Sequence, residues 1–162
     1  LDELTKKIRD RITIFHQARK EDVEAVIHSY NEIGVKAKVE LFFENVEKIM
    51  SEAQLIICRA GANTLTDIST IGRPAIFIPL RTAKDDHQRL NAKIFENNKA
   101  AIVLEETKTS TENLSDSISK ILRSPSKALA MAENSYAMSK PNSSRKMISQ
   151  IEKMIGRQID SN

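Results

Sequence analysis

Gly61, Ala62 and Asn63 stand together in "ICRAGANTLTD", between an apolar run and a helical pattern. Small residues at a strand-to-helix turn let the backbone come close to a ligand, and the free N–H groups of a helix's first turn favour an anion. A bare connection explains that turn equally well by itself. Asp67 follows one turn later. Its carboxylate can accept from two sugar hydroxyls; the competing role is a solvated acid near the positive end of the helix. A second polar set lies in "AKDDHQRLNAK". There Gln88 and Asn91 are three residues apart on one helix face, and each amide offers both a donor and an acceptor to a hydroxyl group. His87 adjoins them, and Asp85 or Asp86 is placed to cap the helix.

Other chemistries find little support. The histidines, His16, His28 and His87, are dispersed and lack partners at metal-ligand spacing, so no metal site is expected. No Ser-His-Asp or Cys-His arrangement is apparent. His16 follows an apolar run and is expected to be packed or at the surface rather than in a cleft. Cys58 is the one cysteine, which rules out an intrachain disulfide; at the end of "LIIC" it reads as a small buried side chain rather than a reactive thiol. The net charge of +3 is carried by scattered basic residues without interleaved aromatics, which argues against nucleic-acid binding. No apolar run reaches membrane-span length, and "LDELTKKIRD" lacks a signal-peptide pattern, so a cytosolic protein is expected.

These residues need elements to hold them, and the chain supplies an alternation. "RITIFHQ" (11–17), "KAKVELFF" (36–43), "LIIC" (55–58), "PAIFIPL" (74–80) and "AAIVLEE" (100–106) read as strands. Between them run helical patterns: Val23 to Ile33 stopped by Gly34, Val46 to Ala53, Ala62 to Ile71 closed by Gly72, and a helix with Leu90, Ile94 and Phe95 on one face. The remainder is helical, with Leu114, Ile118, Ile121 and Leu122, then Ala128 to Met138, then Met147, Ile148, Ile151, Met154 and Ile155 beyond Pro141. Alternating β and α with near-continuous apolar strands predicts an α/β fold, a parallel sheet covered on both faces. The 162 residues suit a single domain, with 125–162 as closing helices that have no sheet left to cover. In such sheets ligands bind beyond the carboxyl ends of the strands. Segments 42–45, 59–64 and 80–88 fall there.

In this order, "ITIFHQ", "VELFFENVEKIMSEAQLIICRAGANTLTDISTIGRPAIFIPL" and "KDDHQRLNAKIFENNKAAIVLEE" resemble the C-terminal half of the MurG family. These are peptidoglycan glycosyltransferases that move N-acetylglucosamine (GlcNAc) from UDP-GlcNAc to lipid-linked N-acetylmuramoyl-pentapeptide, lipid I to lipid II. The block from Cys58 through Asn91 is the specific part of the match. The resemblance implies a Rossmann-like C-terminal domain of the two-domain GT-B fold, holding the sugar nucleotide without a metal or other cofactor. It implies that the backbone at Phe43 meets the uracil, that Gly61, Ala62 and Asn63 lie against the diphosphate and sugar, and that Asp67 takes the ribose hydroxyls. Gln88 and Asn91, with His87, would hold the GlcNAc hydroxyls. Two departures stand out: Asp67 replaces a family Glu, and His87 often a Gln.

The family's domain begins with a strand and a Gly-rich phosphate loop, and neither is found in this sequence. Nor is the acceptor-binding N-terminal domain with the family's general base. The chain is thus expected to be a fragment, inactive alone, whose parent binds lipid I and sits peripherally on the inner face of the bacterial cell membrane. A sheet without its first, central strand must close up, leave a gap, borrow a strand or be completed from elsewhere. Two other readings are a non-catalytic nucleotide-sugar-binding subunit working with a partner chain, and another GT-B enzyme such as a UDP-GlcNAc 2-epimerase relative.

Overall fold

A computed structural model describes residues 4–81 and 86–139. In chain order the elements are α1 (Lys6–Arg9), β1 (Thr13–Gln17), α2 (Val23–Glu32), β2 (Lys36–Glu40), α3 (Val46–Glu52), β3 (Ile56–Cys58) and α4 (Ala62–Ile71). Then come β4 (Ala75–Phe77), α5 (His87–Asn97), β5 (Ala101–Val103), a 3₁₀ turn (Glu106–Lys108), α6 (Thr111–Leu122) and α7 (Pro125–Ala137). The alternation expected from the apolar periodicity is therefore present, and every strand pair is parallel.

The strands divide into two groups. β1 pairs with β2, from Thr13 opposite Lys36 to Gln17 opposite Glu40. Separately, β3, β4 and β5 pair in that order, with Cys58, Phe77 and Val103 in register at their carboxyl ends. Among the described residues β1 and β3 share no ladder, so the outcome is a division of the sheet rather than its closing up. Burial follows the division. β4 is buried along its length, as a central strand covered on both faces should be. In β1 and β2 no residue is fully buried; alternate residues are partly buried, and Phe15 is half exposed. The expectation of two covered faces thus fails for this pair, because "KAKVE" itself alternates and its lysines stay in water.

The β3–β5 sheet carries a core on each side. On one side Ala75 and Phe77 meet Leu65 and Ile68 of α4 and Ala92 and Phe95 of α5. On the other, Ile76 meets Ile118 and Ile121 of α6 and Leu4 and Ile8 around α1. α6, which precedes the 125–162 segment, covers this face of the sheet directly beneath β4. α6 starts in a capping box, with Ser110 and Asn113 exchanging side-chain and backbone hydrogen bonds. α7 bridges to the other side, and its buried Ser135 donates to the Ile68 carbonyl at 3.4 Å. Gly72 ends α4 in the left-handed conformation (φ 61°), and a Cβ there would meet Tyr136 Cβ at 3.0 Å. The segment from Pro141 on, with its Met147-to-Ile155 pattern, lies outside the described residues.

Three strands are shorter at their carboxyl ends than the apolar runs suggest: β2 stops at Glu40, β4 at Phe77 and β5 at Val103. β2 ends because β1 does, with Ala18 N–H making the last bond to Glu40. For the β3–β5 sheet the last rungs are Ile78 N–H to the Cys58 carbonyl, 3.0 Å, and Leu104 N–H to the Phe77 carbonyl, 2.9 Å. The chain leaves all three strands at one common edge, where segments 59–64 and 78–81 begin.

Candidate functional site

At that edge β3 runs into α4 through "RAGANT". Gly61 is the N-cap (φ −70°, ψ 144°); its carbonyl accepts from Leu65 N–H at 3.0 Å, and no side chain caps the helix. The N–H groups of Ala62, Asn63 and Thr64 have no acceptor among the described residues, and Ala62 and Asn63 are exposed. Among the described residues, packing does not require glycine at 61. The φ is ordinary, and the nearest atom to an added Cβ is Thr64 Oγ1 at 3.8 Å. In contrast with Gly72, which packing and φ both demand, no described residue fills the space over Gly61.

α5 brings the two amides to this turn. Asn91 Nδ2 points at the Ala60 carbonyl, a long contact of 3.5 Å, and leaves Oδ1 as an acceptor. Gln88 Oε1 accepts from Leu80 N–H at 3.0 Å, which orients the amide and leaves Nε2 to donate outward. Both side chains are partly buried, and α5 is fixed from below by Phe95 edge-on to Phe77, ring centroids 5.4 Å apart. His87, the first residue of α5, is exposed. Asp86 occupies the N-cap position but does not cap: it is left-handed (φ 56°), and its carboxylate lies 3.6 Å from Arg89 Nε instead. Asp85, the other capping candidate, lies outside the described residues.

The remaining candidates sit on other elements. Asp67 is exposed on the second turn of α4 and makes no hydrogen bond or ion pair among the described residues. The Phe43 ring is buried edge-on to Phe15, centroids 6.0 Å apart, with the Lys38 ammonium 5.7 Å above it. His16 is partly buried and hydrogen-bonds through Nδ1 to the Tyr30 hydroxyl at 2.8 Å. It also lines an open depression of about 350 Å³ with Gln17, Arg19 and Asp22, which shares no residue with the sets around α4 and α5. Cys58 is partly buried against the core, and desolvation pushes its thiol up to about 12, so it is protonated and unreactive at neutral pH. Among the described residues no three His, Cys, Asp or Glu side chains gather as a metal site would need.

A polar network that pattern reading passes over joins the three strand ends. Arg59, just past β3, donates through Nη1 to the Ile78 carbonyl at 2.9 Å and through Nη2 to Glu106 Oε1 at 2.5 Å. Glu106 Oε2 accepts from Arg81 N–H at 3.1 Å. The signal available in the sequence was a charged residue just past two apolar runs, Arg59 directly after Cys58 and Glu106 two residues after Leu104. Only strand order places those ends side by side.

Over residues 1–151 the chain matches the glycosyltransferase family 28 C-terminal domain. It is 33% identical over 150 residues to the UDP-N-acetylglucosamine–N-acetylmuramyl-(pentapeptide) pyrophosphoryl-undecaprenol N-acetylglucosamine transferase of Caulobacter vibrioides, covering 93% of this chain and 42% of that protein. The like-named transferase of a Chelativorans species is 37% identical over 142 residues, covering 88% and 38%. The crystal structure of Acinetobacter baumannii MurG superimposes with a TM-score of 0.81 at 35% identity, covering 88% of this chain and 43% of that one. The chain thus spans about four-tenths of the length of the curated relatives it matches. Parallel strands with helices packed on both sides of β3–β5 are the architecture of a GT-B C-terminal domain, and the chain belongs to glycosyltransferase family 28 as its C-terminal domain.

Proposed function

We propose that this domain holds UDP-GlcNAc for a protein that transfers GlcNAc to lipid-linked N-acetylmuramoyl-pentapeptide in peptidoglycan synthesis. One observation carries the reading: the uncapped start of α4 at Gly61 and the outward ends of Gln88 and Asn91 converge at one strand edge. An anionic diphosphate suits the first and a hydroxyl-rich sugar the second. In this reading Ala62, Asn63 and Gly61 meet the diphosphate and the sugar through backbone, Asp67 accepts from the ribose hydroxyls, and the Phe43 backbone meets the uracil. Gln88 donates to a GlcNAc hydroxyl and Asn91 accepts from one, with His87 beside them. Kinship with the named transferases of Caulobacter and Chelativorans supports both donor and acceptor.

Catalysis by such a domain is positioning plus stabilisation of charge. As the glycosidic bond to UDP breaks, negative charge grows on the diphosphate, and fixed N–H groups at a helix start stabilise it without reorganising. The lipid acceptor would bring the whole protein to the inner face of the cytoplasmic membrane as a peripheral partner. No described helix is long and apolar enough to cross one.

Titration with UDP-GlcNAc, followed by amide NMR, tests this on the 162-residue chain and on the protein expressed from its complete reading frame. Shifts are expected at Phe43, Gly61–Asp67 and His87–Asn91, with weaker binding of the C4 epimer UDP-GalNAc. In Gln88→Ala the preference over UDP-GalNAc should shrink. Failure of the complete protein to bind UDP-GlcNAc would overturn the reading.

Gly61→Ala separates the ligand's needs from the fold's. A Cβ at 61 has room within the protein, so the variant should melt within a few degrees of the wild type or slightly above it. UDP-GlcNAc affinity should nevertheless fall by about tenfold or more, because the methyl occupies the space a closely approaching ligand uses. Unchanged affinity would move the diphosphate away from Gly61.

A further inference from the structure

Glu106 bonds to neither Gln88 nor Asn91, yet its two carboxylate oxygens bond the Arg59 side chain and the Arg81 backbone, each one residue from a group that contacts those amides. Oε1 accepts from Arg59 Nη2 at 2.5 Å and Oε2 from Arg81 N–H at 3.1 Å. Arg59 immediately precedes Ala60, whose carbonyl faces Asn91 Nδ2. Arg81 immediately follows Leu80, whose N–H orients Gln88 Oε1. Arg59 also grips the Ile78 carbonyl, so the link runs from the end of β3 across β4 to the end of β5. A carboxylate suits this position because it accepts at two oxygens at once and carries no donor.

We propose that Glu106 is a positioning residue for the sugar-reading end of the donor site, setting the spacing between residues 59–60 and 80–81 and thereby the places of Asn91 and Gln88. This assignment rests on the donor reading above. Glu106 touches no ligand in it; its effect passes through the Arg59 side chain and the Arg81 backbone. The Arg81 N–H first, and the Arg59 guanidinium second, hold its carboxyl below the usual carboxylate range, so both bonds are charge-assisted at neutral pH. The Arg59 side chain is 48% exposed and that of Glu106 34% exposed, and ion pairs so open to water contribute little to folding. What the carboxylate contributes is geometry, and its loss should be felt by the sugar rather than by the fold.

Calorimetric titration of the protein from its complete reading frame with UDP-GlcNAc and, separately, with UDP reads this directly. Small displacements of positioned groups are costly, so Glu106→Ala should weaken UDP-GlcNAc by about tenfold and leave UDP within about twofold. Glu106→Gln, which keeps one acceptor oxygen but not the charge, should fall between, at about threefold. It also carries the test if the alanine variant melts early. Equal UDP-GlcNAc affinity in wild type and both variants would overturn the assignment. So would equal losses for UDP and UDP-GlcNAc, since a merely structural role moves both. A wild-type protein that binds neither ligand overturns the donor reading and this assignment with it. Wild-type binding of both, without the sugar-selective loss, overturns the assignment alone.

Discussion

Asp67→Ala is expected to weaken UDP-GlcNAc binding by about 10- to 100-fold, the loss that follows from removing hydrogen bonds to a charged acceptor. The melting temperature should barely move, because Asp67 is exposed on α4 and supports nothing among the described residues. The ribose is the proposed partner, so the decisive comparison uses UDP-GlcNAc and its 2′-deoxy analogue. In the wild type the analogue should bind more weakly; in Asp67→Ala the two should bind alike. Asp67→Glu restores the carboxylate on a longer stem and should recover most of the affinity if helix α4 leaves it room. Donor saturation identical to wild type in Asp67→Ala would remove this residue from the site.

Phe77→Ala should destabilise the domain by about 3–5 kcal/mol, read as a lower urea midpoint. Phe77 is fully buried on the middle strand of the β3–β5 sheet and packs edge-on against Phe95. Truncation leaves a cavity between β4 and α5 that neighbours cannot fill without moving. For a domain stable by about 5–15 kcal/mol this is a large share. Phe95 lies one helical turn beyond Asn91, so the surviving folded fraction should also bind UDP-GlcNAc less well. Phe77→Leu, which keeps most of the volume, should cost much less of both. A Phe77→Ala protein with the wild-type midpoint would mean that the core on this side of the sheet is not what holds α5.

The two expectations draw on different layers of information. Asp67 and Gly61 were legible as candidates in the sequence because a small-residue turn between an apolar run and a helical period is a local pattern. Gln88 and Asn91 were legible as a pair because a three-residue spacing on a helix sets a common face. That Gln88 would present its donor and Asn91 its acceptor was not legible. It follows from Leu80 N–H and the Ala60 carbonyl, which lie on other segments. The capping role offered to Asp86 failed for a related reason. Capping needs the backbone to enter the helix in an extended conformation, and here it arrives left-handed, with the carboxylate turned toward Arg89. Strand lengths were overread because apolar runs mark what is buried, whereas a strand ends where its neighbour's hydrogen bonds end.

By itself the sequence determined the alternation of β and α, the boundaries of most helices, the segments that follow the strands, and the polar residues placed in them. These depend on periodicity, turn residues and composition, which act over a few residues. Only the tertiary structure decided that the described strands form two groups rather than one sheet, that α6 seals the underside of β4, and that packing among the described residues demands glycine at 72 but not at 61. It alone brought Arg59 to Glu106, 47 residues apart in the chain. Such contacts are set by which strand lies beside which, a property of hydrogen-bond pairing and shared burial across the whole domain that no local window contains.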